Sequence, residues 1–374
     1  MAVEHEAPEE VIQALRQKVL DERTSLPAKY RALFALRNLK GSSAEAAIID
    51  ALQDESALFR HEVAYCLGQR QDPAAVPTLR GILMNDREHP MVRHEAGEAL
   101  GAIGTRECFE LLRAFSKDPC LEVSQTCQLA LQRIEYYAQA EGCSSSHADV
   151  LASESQAEPS MCIKTTLGSC AVPSASEACS QQHPCQCDDT MPSTAEQGVD
   201  TSSKGRDGSP YLSVDPAPAA PLSTPTPELR RLLLDEHAPI FQRYTALFAL
   251  RNKGGREEVA ALEDSLRGES ALLKHEVAYV LGQVQDPAAI DALEHVLRNA
   301  TENAMVRHEA AEALGSIADE RCLKLLEAFC TDPEPIVAHS CVVALDMLAY
   351  EQSGEFQYAS AGHAVETASI TAAC

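Results

Sequence analysis

The strongest constraint on this chain is that it contains itself twice. The stretch Ser56-Ala-Leu-Phe-Arg-His-Glu-Val-Ala-Tyr-Cys-Leu-Gly-Gln-Arg-Gln-Asp-Pro73 returns as Ser270-Ala-Leu-Leu-Lys-His-Glu-Val-Ala-Tyr-Val-Leu-Gly-Gln-Val-Gln-Asp-Pro287, identical at 14 of 18 positions. Met91-Val-Arg-His-Glu-Ala-Gly-Glu-Ala-Leu-Gly101 likewise returns as Met305-Val-Arg-His-Glu-Ala-Ala-Glu-Ala-Leu-Gly315. The offset is 214 in both cases, and it also aligns Tyr30 with Tyr244, Asn38 with Asn252, Asp118 with Asp332 and Cys127 with Cys341. A shorter period is nested inside each copy: His61 and His94 are 33 residues apart, as are His275 and His308, with fainter echoes 31 residues outward. Four such units fit in each half. A unit of this length holds two short helices and a turn, and such pairs are stable only when each buries its apolar face against the next, as in an α-solenoid.

Local signals agree with that reading. Phe59, Val63, Cys66 and Leu67 form one apolar stripe at helical spacing, and Val92, Ala96, Ala99 and Leu100 repeat it, as do the duplicates Leu273, Val277, Val280 and Leu281 and Val306, Ala310, Ala313 and Leu314. Asp72-Pro73 and Asp286-Pro287 read as an N-cap followed by the first helical residue, and Gly68 and Gly282 as the ends of the preceding helices. Aromatic residues make up 5% of the chain and Trp is absent, which favours closely packed helices over a β-sandwich. The expected fold is all-α: two duplicated halves of four helical hairpins, residues 8–140 and 226–351, facing each other. Residues 141–225, crowded with Ser, Thr, Pro and Ala and lacking apolar periodicity, read as a disordered linker, and 352–374 as a flexible tail.

Charge narrows the function. The formal net charge is −25, and eleven acidic against three basic side chains place −8 of it on the linker. A chain of this sign is not expected to neutralise nucleic-acid phosphates. No segment reaches the roughly 18 uninterrupted apolar residues of a membrane span. The N-terminus has no basic and apolar secretory signature. A cytoplasmic, monomeric protein with reduced thiols is expected, although six of the 14 cysteines fall in the linker. Cys185, Cys187 and His183 there offer soft-metal ligands, but a solvated, reduced linker is the plainer reading.

The chemistry points to four dipeptides, His61-Glu62, His94-Glu95, His275-Glu276 and His308-Glu309, at one phase of the four inner repeats. On a helical wheel His61 falls opposite the apolar stripe, on a face free to line a surface. A solvated polar face copied by duplication would account for two occurrences. It does not account for the two inner repeats of one half sharing the pair while differing at most other positions. Two imidazoles and a carboxylate suit non-haem Fe(II), and four pairs supply two such sets, one per half; ligand type alone also suits zinc. His-Glu-x-x-His, the single-helix zinc peptidase pattern, is absent.

Duplicated halves carrying these four His-Glu segments closely resemble the deoxyhypusine hydroxylases, a family of HEAT-repeat proteins, over about residues 25 to 135 and 239 to 350. The resemblance implies a HEAT-repeat α-solenoid and a non-haem di-iron monooxygenase. It implies two Fe(II) ions, O₂ as co-substrate, an external reductant, and a protein substrate, the deoxyhypusine-containing translation factor 5A, whose modified lysine becomes hypusine. It assigns iron to His61, His94, Glu95, His275, His308 and Glu309. Glu62 and Glu276 belong to the same motifs as further ligands or as catalytic groups holding the substrate's amines, with Glu98 and Glu312 as an acidic surround. Tyr65 and Tyr279 read as packing in the groove, and Gln69 and Gln283 as substrate contacts or turn residues. The alternatives are a non-catalytic acidic HEAT scaffold that binds a basic protein, and a relative of the HEAT-like bilin lyases.

Overall fold

The computed structural model describes residues 8–142 and 209–353, and the described residues form helices joined by short turns without a strand. The N-terminal half comprises α1 (Glu9–Leu20), α2 (Leu26–Asn38), α3 (Ser42–Asp50), α4 (Ala57–Arg70), α5 (Val76–Met84), α6 (Pro90–Ile103), α7 (Arg106–Phe115) and α8 (Leu121–Gly142). The C-terminal half repeats them as α9 (Thr226–Leu234), α10 (Ile240–Lys253), α11 (Arg256–Ser265), α12 (Ala271–Val284), α13 (Ile290–Arg298), α14 (Ala304–Ile317), α15 (Glu320–Phe329) and α16 (Pro335–Ser353).

Several helices begin where short polar side chains supply caps. Ser56 accepts from the Phe59 N–H and Ser270 from Leu273, while Asp72 and Asp286 cap one-turn 3₁₀ segments that start at Pro73 and Pro287 and lead into α5 and α13. The ends differ from expectation. Gly68 and Gly282 do not close α4 and α12, which run on to Gln71 and Gln285 in the left-handed conformation. The two glycines instead permit close packing: a Cβ at Gly68 would lie 2.8 Å from Ala99 Cα, and one at Gly282 would lie 3.0 Å from Ala313 Cα. Gly101 and Gly315 serve the same purpose against Ala130 and Ala344. The signal is real, but it marks helix contact rather than helix termination.

These contacts stack the even-numbered helices into an inner layer, with the odd-numbered helices packed outside. The inner layer closes on itself. α16 packs on α2 and α4, where Arg31 meets Asp346 at 2.7 Å and Ser56 meets His339 at 3.2 Å. At the other seam Tyr136 of α8 lies 6.4 Å from Phe241 of α10, and Glu122 accepts from Asn303 at 3.0 Å. The two halves are thus held by direct contact, and the faces that carry the His-Glu pairs are enclosed between them.

The expected linker is packed at its C-terminal end. Residues 209–225 form a strap over the inner helices, with Ser209 and Ala217 buried. The strap is tied by an ion pair between Asp215 and a fully buried Arg251. A polar, proline-rich composition does not reveal such tethering, because the ties are side chains of the halves themselves. Residues 141–142 of the expected linker continue α8 and 352–353 of the expected tail continue α16, while 143–208, including Cys185, Cys187 and His183, and the tail from 354 lie outside the described residues. The seven described cysteines are free thiols, and no described helix is long and apolar enough to cross a membrane.

Candidate metal centre

Because α4, α6, α12 and α14 are inner helices of one closed layer, the His-Glu phase shared by the four repeats converges on a single point. His61, His94, His275 and His308 are 5%, 0%, 7% and 1% exposed. The face opposite the apolar stripe is therefore buried by the other half, not open to solvent as the wheel alone suggests. Ring centroids lie 5.3 to 5.7 Å apart within each half (His275 to His308, His61 to His94) and 5.4 Å apart across the seam (His61 to His308, His94 to His275).

Each half folds its two imidazoles around its own carboxylate. Glu95 Oε2 is 3.2 Å from His61 Nε2 and 3.8 Å from His94 Nε2; Glu309 Oε2 is 3.4 Å from His275 Nε2 and 3.9 Å from His308 Nε2. Donor atoms of His275, His308 and Glu309 lie within 4.8 Å of one another, as do those of His61, His94 and His275 and those of His94, Glu95 and Glu98. Glu98, read from sequence as surround, thus stands within the cluster. Surrounding groups orient the rings: His94 Nδ1 meets Thr126 Oγ1 at 3.3 Å, and Glu312, bonded to Ser340, faces His308 Nδ1 at 3.8 Å.

The donor set fits a cation. Both ring nitrogens of His61, His275 and His308, and Nε2 of His94, are buried without a hydrogen-bond partner among the described residues. Leaving such groups unpaired costs about 1–3 kcal/mol each, and coordination removes that penalty. Charge tells the same story. Burial drives the His61 imidazolium down to about 3, assisted by repulsion from His275, and holds His94 and His308 well below the ordinary range. These rings are neutral, as metal ligation requires. His275 moves the other way: burial opposes its charge, but the Glu309, Glu95 and Glu98 carboxylates outweigh burial and raise it. Burial and mutual repulsion push Glu62, Glu95 and Glu98 up to about 8, and Glu276 and Glu312 well above the carboxylate range. So many carboxyls in one dry site remain protonated near neutrality unless cations enter.

A cavity of about 280 Å³ opens onto the cluster. It is lined by Glu62, Glu95, Glu98, Glu276, Glu309 and Glu312, with Tyr65 and Tyr279 at one side, their hydroxyls 2.8 Å apart across the seam. Sequence reasoning did not single out Arg37, Tyr30, Phe34 and Met347, which also line it. Arg37 had a signal, since Leu36-Arg37-Asn38 recurs as Leu250-Arg251-Asn252. Gln69 and Gln283 do not close turns; both bind the strap.

Relatives carry the same organisation. Models of HEAT repeats match residues 10–88 and 259–346, and a PBS lyase HEAT-like repeat matches only 92–118. The deoxyhypusine hydroxylase of Gallus gallus is 46% identical over 94% of this chain and 96% of its own length. The chain belongs to the deoxyhypusine hydroxylase family. The Arabidopsis thaliana hydroxylase is 45% identical over 91% of both chains. The solved structure of human deoxyhypusine hydroxylase in complex with glycerol superposes with a TM-score of 0.72 at 44% identity, covering 91% of this chain and 97% of that one. Membership removes the bilin-lyase alternative, whose model reaches a single repeat.

Proposed function

We propose that this chain hydroxylates the deoxyhypusine side chain of translation factor 5A to hypusine, with two irons held by His61, His94 and Glu95 and by His275, His308 and Glu309. The observation that carries the reading is the set of buried imidazole nitrogens without hydrogen bonds among six glutamates. Iron, when bound, supplies the O₂ activation that no amino-acid side chain can provide. In the balanced reaction one oxygen atom of O₂ enters the substrate C–H bond and the other leaves as water. Two electrons and two protons come from an external reductant.

The chain's own residues do the rest. The acidic lining attracts a side chain whose amines are cationic at neutral pH. Glu62 and Glu276, on the cavity wall beside the ligand sets, hold those amines and orient the carbon between them. Glu62, Glu95 and Glu98, pushed up to about 8 by burial, would give up their protons to a bound cation, so metal loading would strengthen as pH rises. The enclosing halves keep bulk water from the reacting carbon.

Replacing His94 or His308 by Ala tests the assignment through metal content and turnover of the deoxyhypusine-bearing protein. Both variants are expected to lose iron and activity together. A variant that keeps its iron removes that histidine from the ligand set, and a wild-type protein without a transition metal favours the acidic scaffold.

A further inference from the structure

The duplication places a tyrosine and a glutamine one helical turn apart in each half, Tyr65 with Gln69 on α4 and Tyr279 with Gln283 on α12. The two tyrosines meet across the halves, hydroxyl to hydroxyl at 2.8 Å, and both line the cavity beside the metal centre. A symmetric pair leaves the direction of that hydrogen bond open. The glutamines break the symmetry. Gln69 is engaged by backbone: its Oε1 accepts from the Val214 N–H at 2.8 Å and its Nε2 donates to the Val214 carbonyl at 3.4 Å. Gln283 instead donates from Nε2 to Tyr279 Oη at 3.0 Å and to Ser213 Oγ at 3.2 Å.

A cation sets the direction of the chain that follows. Arg251 Nη1 donates to Gln283 Oε1 at 2.9 Å, and the same guanidinium is paired with Asp215. A guanidinium has donors and no acceptor, so the Gln283 amide is held with its oxygen toward Arg251 and its nitrogen toward Tyr279. Tyr279 Oη therefore accepts. Hydrogen bonds in a chain reinforce one another when all run the same way, which makes Tyr279 the donor to Tyr65. Among the described residues the Tyr65 hydroxyl bonds to Tyr279 alone, so its own proton is left for the cavity. The relay ends in an oriented O–H donor one turn along α4 from His61.

That donor has nothing to bind on the substrate as it enters. The deoxyhypusine side chain consists of methylenes and ammonium groups, and neither offers an acceptor. The reaction creates one, the oxygen inserted into the C–H bond. We infer that Tyr65 donates a hydrogen bond to the new hydroxyl of the product, and that Gln283, Arg251 and Asp215 are positioning residues that aim it through Tyr279. The inference rests on the function proposed above and adds to it the residue that recognises the inserted oxygen. The glutamates hold the amines, which substrate and product share; Tyr65 reads the atom by which they differ.

The experiment measures binding of the iron-loaded chain to translation factor 5A by fluorescence anisotropy without O₂, once with the deoxyhypusine form of the factor and once with the hypusine form. Tyr65→Phe is expected to bind the hypusine form roughly 3- to 10-fold more weakly, the worth of one neutral hydrogen bond. Its affinity for the deoxyhypusine form is expected to stay within about twofold of wild type, with the melting temperature retained. Gln283→Leu is expected to show part of this selective loss. Gln69→Leu, which also frees the strap but lies outside the relay, is expected to leave the ratio of the two affinities unchanged. Equal weakening of both forms by Tyr65→Phe would place its proton on Glu62 and overturn the inference, as would no weakening of either. A selective loss in Gln69→Leu as large as that in Gln283→Leu would overturn the relay. Wild type that fails to hydroxylate, with the hypusine-selective contact still lost in Tyr65→Phe, would overturn the proposed activity and leave the contact standing. Wild type that binds neither form would overturn both.

Discussion

Asp215→Ala is the most informative perturbation of the strap, because its consequence depends on what the strap does once untied. The substitution removes the two hydrogen bonds that the carboxylate accepts from Arg251, at 2.9 and 2.5 Å, and the one it accepts from Ser213 at 2.7 Å. It leaves a guanidinium with a side-chain exposure of 0% facing Gln283, Ser209 and Asn252. Breaking a buried pair from one side costs about 3–5 kcal/mol, mainly because the remaining charge stays desolvated. That cost has a ceiling. If it exceeds the free energy holding the strap down, the strap lifts and water reaches Arg251, so the loss seen in global unfolding cannot exceed the docking energy of the strap. The expected signature is therefore local: faster amide exchange and protease cutting around Tyr211–Asp215, with the cooperative unfolding of the helical ring displaced by much less than the full penalty. Arg133→Met, which copies the residue found at position 347, is expected to loosen the same segment more mildly. Limited proteolysis followed by mass spectrometry reads both variants. Wild-type protection of the strap in Asp215→Ala would refute the claim that the Arg251 pair ties it down.

Other expectations follow from the packing and charges. At Gly315 an added Cβ would lie 2.6 Å from the Ala344 carbonyl oxygen and 2.7 Å from its Cα, so Gly315→Ala is expected to lose roughly 1–3 kcal/mol by urea denaturation despite its better helix propensity, whereas Gly81→Ala on α5, which meets nothing within 4 Å, gains up to about 1 kcal/mol. A Gly315→Ala protein as stable as wild type would mean that α14 and α16 are not in tight contact. Burial alone would raise the Asp118 and Asp332 carboxyls, but hydrogen bonds from Arg93 and Arg307 and those guanidinium charges outweigh it and hold both carboxyls below the ordinary range. Their stabilisation is complete above the unfolded value of about 4 and is lost as pH falls through the lowered folded value. Asp118→Asn is therefore expected to weaken the protein at pH 7 and to flatten its acid-unfolding curve below about pH 4, as followed by circular dichroism. Chelation of iron is expected to abolish activity while leaving the halves associated, because α16 packs directly on α2 and α4; separation on sizing or free proteolysis between the halves after chelation would contradict this.

The sequence by itself determined the repeat architecture and the identity of the central cluster. Both are periodic properties. An offset of 214 and an inner spacing of 33 place His61, His94, His275 and His308 at one phase of equivalent helices, and equivalent helices in a stacked array must present equivalent faces to one side. Polarity on that face, however, reads the same whether it meets water or another half, so burial of the histidines was not legible. It follows from ring closure, through contacts such as Arg31 with Asp346 that link residues 315 positions apart. Gly68 and Gly282 were misread for a related reason: a glycine that ends a helix and one that admits a neighbouring helix look alike until the neighbour is in place. The strap shows the limit most clearly. Residues 209–225 have the composition of a linker, and only the tertiary structure brings Arg251, Arg133 and Gln69 from three separate helices onto Ser213, Val214 and Asp215. Local composition records the propensity of a segment to fold on its own, whereas docking depends on donors contributed by distant parts of the chain. For that reason Arg37 and Arg251, duplicates in sequence, become distinguishable only in three dimensions: Arg251 is buried against Asp215, whereas Arg37 lines the cavity.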